Sequence, residues 1–155
     1  MALVWTPACP GAAVGYYALK GVGELRVEGS WGAARAHTDG GAWQFTVDGM
    51  FRKTVRATKS TGEVVGDCRG NLVHWQNRTL RLRRGLDQRG FVLRVGRYDL
   101  CEDDRIDARL ATSDRPLRRI VIDLTEGVEL EPPLMLFVAF LVGRFTNRDY
   151  NNDGL

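Results

Sequence analysis

The sequence predicts a mainly β fold, a closed antiparallel β-barrel surrounding one buried hydrophobic C-terminal α-helix. Three observations predict it. Apolar residues alternate with polar ones in short runs over residues 25–124, glycine-containing turns separate those runs, and the stretch from Pro132-Pro133-Leu134 through Leu141-Val142-Gly143 is apolar on every side. Period two is the signature of a strand with one buried face, and many short strands at this spacing read as a barrel or sandwich. A helix that is apolar all round has to be surrounded, so the preceding strands must supply the surroundings.

Residues 1–24 form an N-terminal segment that contains several glycines, with no element assigned to it. Within 25–124, Trp43-Gln44-Phe45-Thr46-Val47 puts Trp43, Phe45 and Val47 on one face; Thr79-Leu80-Arg81-Leu82-Arg83 sets two leucines against two arginines; Phe91-Val92-Leu93-Arg94-Val95 repeats the scheme. Shorter runs of the same kind lie at 25–27, 54–57, 63–65, 72–75, 106–110 and 120–124. Asp39-Gly40-Gly41, Asp48-Gly49, Thr61-Gly62 and Arg69-Gly70-Asn71 supply turn residues that accept positive φ.

The central helix is expected over 132–146, followed by a polar tail, 147–155. Prolines are tolerated in a first helical turn, Glu129 and Glu131 suit the positive end of the dipole, and Arg144 and Arg148 suit its negative end. The unbroken apolar run 134–143 would be about 15 Å long as a helix, against about 30 Å of hydrocarbon in a bilayer, so it is too short to cross one.

At 155 residues the chain reads as a single domain with no linker, internal repeat or low-complexity segment. A domain of that length buries roughly 70% of its unfolded surface. Apolar residues make up 44% and charged residues 26%, as in an ordinary folded domain. The net charge of +3 is carried almost wholly by arginine, since only Lys20, Lys53 and Lys59 are lysines. That excess is too small to make nucleic acid the expected partner. Cys9, Cys68 and Cys101 are odd in number and have no close pairing, which argues for free thiols and a cytoplasmic location. The first residues are uncharged up to Lys20, but Pro7, Pro10 and Gly11 interrupt any apolar helix and no basic segment precedes it, so no secretory signal is expected.

Several local stretches carry a family resemblance. Gly29-Ser30, then Ala34-Arg35-Ala36-His37-Thr38-Asp39-Gly40 and Trp43-Gln44-Phe45, look like a small-residue strand turning into an aromatic one. Leu80-Arg81-Leu82-Arg83-Arg84-Gly85 looks like a middle strand, and Ile120-Val121-Ile122 followed by Glu131-Pro132-Pro133-Leu134 looks like a last strand entering a helix. In this order the elements of residues 25–146 resemble the tubby C-terminal-like superfamily, which includes the LURP-one-related proteins and the phospholipid scramblases. The resemblance implies a closed barrel threaded by the terminal helix. It also implies a non-enzymatic role, either binding anionic, phosphoinositide-containing membranes or regulating protein partners; many bacterial members have no assigned activity. The chain lacks the acidic, calcium-ligand-like segment of the scramblases just before the helix, so the resemblance does not extend to lipid scrambling.

A helix that fills the lumen denies it to a ligand, so function is expected on the outside. If Leu80, Leu82, Leu93 and Val95 face in, Arg81, Arg83 and Arg94 face out, near Arg78, Arg84, Arg89 and Arg97. Guanidinium groups clustered on one surface can grip phosphate headgroups through bidentate, charge-assisted hydrogen bonds. The plainer reading is a solvated arginine face paired with acids such as Asp87, Asp99 and Asp107. A protein-interaction or self-assembly scaffold that docks through the N-terminal segment, with no lipid role, is the alternative function.

The remaining motifs are weaker. Asp149-Tyr150-Asn151-Asn152-Asp153-Gly154 matches the opening of an EF-hand loop, which makes Asp149, Asn151 and Asp153 weak calcium candidates; the bidentate glutamate that completes such a loop is missing, and a polar terminus is the plainer reading. His37 and His74 are the only histidines and form no close pair with a cysteine, so no structural metal and no cofactor are expected. Cys68 and His74 would be a nucleophile dyad only in principle and read as packing residues. No triad, carboxylate pair or phosphate-binding glycine fingerprint is present, and no enzymatic activity is expected. Trp43 and Trp75 are expected in the core, among the inner wall of aromatics.

Overall fold

The computed structural model describes residues 2–7, 15–28, 31–49, 53–84, 96–112 and 119–152, with side chains described between residues 17 and 146 of those spans. Within them, twelve strands precede one helix: β1 (Ala2–Pro7), β2 (Gly15–Leu19), β3 (Gly23–Glu28), β4 (Ala33–Thr38), β5 (Gly41–Asp48), β6 (Thr54–Lys59), β7 (Val64–Arg69), β8 (Leu72–Trp75), β9 (Arg78–Arg84), β10 (Arg97–Glu102), β11 (Arg105–Thr112), β12 (Arg119–Leu124) and α1 (Pro132–Asn152). Every strand pairs antiparallel with the strand before and after it in sequence, and β1 pairs with both β2 and β12.

The alternation read from sequence is the alternation of burial. Leu25 and Val27 of β3, Trp43 and Phe45 of β5, and Leu80 and Leu82 of β9 are buried, while the polar residues between them are exposed. Turn chemistry is likewise where the sequence put it: Gly62 and Gly70 take φ values of 94° and 61°, a region glycine enters without steric penalty. The run 91–95, which includes Arg94, lies outside the described residues.

Three strands were not anticipated. The N-terminal segment contributes β1 and β2, hydrogen-bonded on both sides, so these residues are part of the sheet. β10 was also missed: Tyr98 and Leu100 alternate correctly, but a register shift at Leu100 and Cys101 breaks the period and buries both.

The helix runs on to Asn152, six residues beyond the expected end at 146, so the tail begins as helix. Gly143 lies within the helix. A Cβ at this position would overlap the Trp31 indole, which lies against the helix in the β3–β4 connection. Arg144, expected to complement the helix end, is instead in the helix interior and buried, and its Nη1 donates to the Trp31 carbonyl at 2.9 Å. Trp31 itself sits at φ 63°, uncommon for a bulky residue, held there by packing on both sides.

The helix touches strands from around the sheet through aromatic contacts. Tyr17, Trp31, Phe140, Phe45, Phe137 and Trp75 form one chain of neighbouring rings, with centroids 5.0–5.9 Å apart. Such tilted and offset pairs add to what area burial alone provides. At the helix start, the Trp75 indole Nε1–H donates to Glu131 Oε2 at 3.2 Å, and the Glu131 carbonyl accepts from the Met135 N–H at 3.0 Å. Further along the helix, Tyr98 and Thr112 each lie 3.4 Å, hydroxyl to hydroxyl, from Thr146. No helix among the described residues is long and apolar enough to cross a membrane.

Candidate functional site

With residues 134–142 of the helix all buried against the strands, the chemistry available to a partner lies on the opposite, outer face of the sheet. Its charges follow from strand register. Arg81 and Arg83 are exposed on β9 as the alternation requires, but their neighbours differ.

Arg83 stands opposite Asp99 of β10, which stands opposite Arg109 of β11, which stands opposite Asp123 of β12. Charge alternates across all four strands, and Arg109 approaches Asp99 at 3.9 Å. Opposite charges directly across a ladder stabilise one another modestly. Arg83 also reaches over its own strand edge, with Nη2 3.1 Å from the buried Cys101 Sγ. The solvated, charge-matched reading of the arginines therefore holds for this row.

Arg81 has different surroundings. The two-residue turn Gly70-Asn71 sets Arg69 opposite Leu72, and the next hairpin sets Leu72 opposite Arg81. Two exposed arginines thus flank a half-buried leucine, with the buried Cys101 opposite Arg81 on its far side. Neither guanidinium makes an ion pair or a side-chain hydrogen bond among the described residues. Arg69 was not singled out from the sequence. Its signal was present, because a two-residue hairpin turn fixes which residues face each other.

The acids expected to neutralise arginine are placed at two of three positions. Asp107 is the extra residue of a bulge: Leu100 pairs with Ala108 and Cys101 with Ile106. Fully buried, it accepts from Arg105 Nε at 2.6 Å and Arg78 Nη2 at 3.2 Å, and Arg78 Nε also donates to Glu102 at 2.9 Å. The Asp107 carboxylate holds the Arg105 guanidinium in its charged form more firmly than usual. A buried carboxylate needs such pairing, so this cluster is a structural closure of the bulge. Asp87 lies outside the described residues.

The other candidates separate. Cys68 faces the core and His74 the solvent, on opposite faces of adjacent strands, so they form no dyad and His74 is not a packing residue. Burial pushes the Cys68 thiol up to about 12, and the nearby Asp67 carboxylate adds to the effect. His74 Nδ1 lies 3.4 Å from Thr79 Oγ1. Cys68 and Cys101 are free and buried; Cys9 lies outside the described residues. Asp149 and Asn151 stand on helical backbone, which is not the turn that an EF-hand loop requires, and Asp153 lies outside the described residues. Among the described residues, no three of His, Cys, Asp and Glu come together as a metal set. Trp43 and Trp75 are core residues. Compared with protein-family models, with curated proteins and with solved structures, the chain matches none.

Proposed function

We propose that this chain is a non-enzymatic, tubby-like and LURP-one-like module: a closed barrel around its C-terminal helix that binds anionic phospholipid headgroups through outer arginines. The pairing of β1 with both β2 and β12 supports closure, and the strand-then-helix order supports the likeness. The observation that carries the binding reading is the Arg69, Leu72, Arg81 row. Guanidinium groups without acidic partners keep their donors for phosphate oxygens, and a half-buried leucine between them suits a surface that meets headgroups and not bulk water alone. Arg83 is a weaker contributor because Asp99 faces it; Arg94, on the strand-like run 91–95, belongs to the same proposal. Free, buried Cys68 and Cys101 are consistent with a cytoplasmic site of action.

Liposome flotation tests the reading. At low salt the protein should float with phosphatidylserine-containing vesicles and not with pure phosphatidylcholine. Replacing both Arg69 and Arg81 with glutamine should abolish most of that preference. Added salt should weaken it too, because attraction between exposed charges is screened over roughly 8–10 Å near physiological ionic strength. Wild-type protein indifferent to lipid charge would end the lipid reading and leave the protein-interaction scaffold.

A further inference from the structure

A second arginine arrangement lies on the outer face over β3, β4 and β5. Arg26 of β3 stands directly opposite Arg35 of β4, and Arg35 directly opposite Gln44 of β5. All three are exposed on the outer face, since Leu25, Val27, Ala34, Ala36, Trp43 and Phe45 turn inward. Directly opposed residues carry their Cβ atoms only about 4.5–5.5 Å apart, and like charges in that relation are destabilising. Neither guanidinium makes an ion pair or a side-chain hydrogen bond among the described residues. No acid stands directly opposite either arginine on the ladder, unlike the alternating row from Arg83 to Asp123.

We propose that Arg26, Arg35 and Gln44 form a clamp for one tetrahedral oxyanion of the phosphate or sulfate class. Guanidinium groups carried at directly opposed positions of neighbouring strands can each offer planar pairs of N–H donors to one phosphate, and the Gln44 amide, opposite Arg35, can add a neutral donor. A bound anion between the two guanidinium groups offsets their mutual repulsion. Glu24 and Glu28 lie on the same face, two residues to either side of Arg26 along β3, and they bound the site along the strand. Their charge limits the clamp to a single small anion and disfavours an extended polyanion. The site shares no residue with Arg69 and Arg81 and stands independently of the headgroup reading.

The test follows the arginine Nε–H signals of the whole chain by NMR while inorganic phosphate replaces chloride at constant ionic strength. Saturable shifts are expected at Arg26 and Arg35 together. Replacing either with glutamine should weaken binding about tenfold or more, since one charge-assisted donor set is lost, while Gln44→Ala should weaken it less. The Arg69→Gln, Arg81→Gln double variant should keep the full phosphate response, so the two sites fail separately. Vesicles containing phosphatidic acid distinguish the source: flotation lost in Arg26→Gln identifies a lipid phosphate monoester, and flotation unchanged with phosphate binding intact identifies a soluble one. Shifts that do not saturate, that chloride reproduces, or that survive in both single variants would overturn the clamp.

Discussion

The two faces of β9 differ: Leu80 and Leu82 are buried in the core, while Arg81 and Arg83 stand in solvent. The contrast extends over the whole sheet. Inside, almost every position is committed to a neighbour, from the aromatic chain running between Tyr17 and Trp75 to the Trp31 indole pressed on Gly143. Outside, commitment varies by strand. The row from Arg83 to Asp123 is charge-matched, whereas Arg69 with Arg81, and Arg26 with Arg35, are not. The difference shows where stability resides and where recognition is free to reside: a side chain already satisfied by the fold has little left to offer a ligand.

The contrast is broken most severely from inside. Phe137 and Phe140 are fully buried, and each packs on Phe45. Replacing either with alanine is expected to cost about 3–5 kcal/mol. That is a large part of the roughly 5–15 kcal/mol that holds a domain together. Urea denaturation should show a stability loss of that size or an unfolded protein; a loss below about 1 kcal/mol would contradict a helix buried against the sheet.

A subtler interior test uses Gly143. On an exposed helix, alanine in place of glycine gains roughly 1 kcal/mol. Here the added methyl meets the Trp31 indole, so overpacking should reverse the sign and destabilise by about 1–3 kcal/mol. In a Trp31→Ala background the same substitution should lose its penalty, and a double-mutant cycle reads the difference.

Cys68 separates the faces by chemistry. Its thiol, raised to about 12 by burial, should resist thiol reagents in the native protein at pH 8, while denatured, unreduced protein should expose Cys9, Cys68 and Cys101 as three free thiols. A raised folded-state value means that the unfolded chain ionises first. The stabilising contribution is therefore complete below about pH 8.5 and is lost as pH rises toward the folded value. Cys68→Ala should flatten that part of the stability profile. Tyr17, whose pKa burial also raises, should retain its own share.

The smallest expected effect on stability belongs to the outer arginines. Arg69→Gln with Arg81→Gln should move stability by no more than about 0.5 kcal/mol, because exposed side chains away from caps and cores rarely do more. A thermal-melt comparison checks this alongside the flotation assay. A large loss would mean that these arginines are structural and would undermine the proposed headgroup surface.

Much of this contrast is legible in the sequence. The period-two runs located the inner and outer faces of β3, β5, β6, β8, β9, β11 and β12, because burial on one face of a pleated strand forces alternation. β1 and β2 were not legible, since Pro7 and the glycines around them read as breakers; the ladder partners on either side make them strands. The helix end was placed at 146 because the residues after it are polar, and only the contact with Trp31 shows that Gly143 serves packing.

By itself, then, the sequence determined the class of fold, the buried helix, and the outward direction of Arg81 and Arg83, all consequences of local periodicity and hydrophobic patterning. Tertiary structure alone decided which charges face which. Register sets Asp99 opposite Arg83 and Arg26 opposite Arg35. These relations depend on turn lengths, bulges and pairing between strands, none of which a single strand's own pattern encodes.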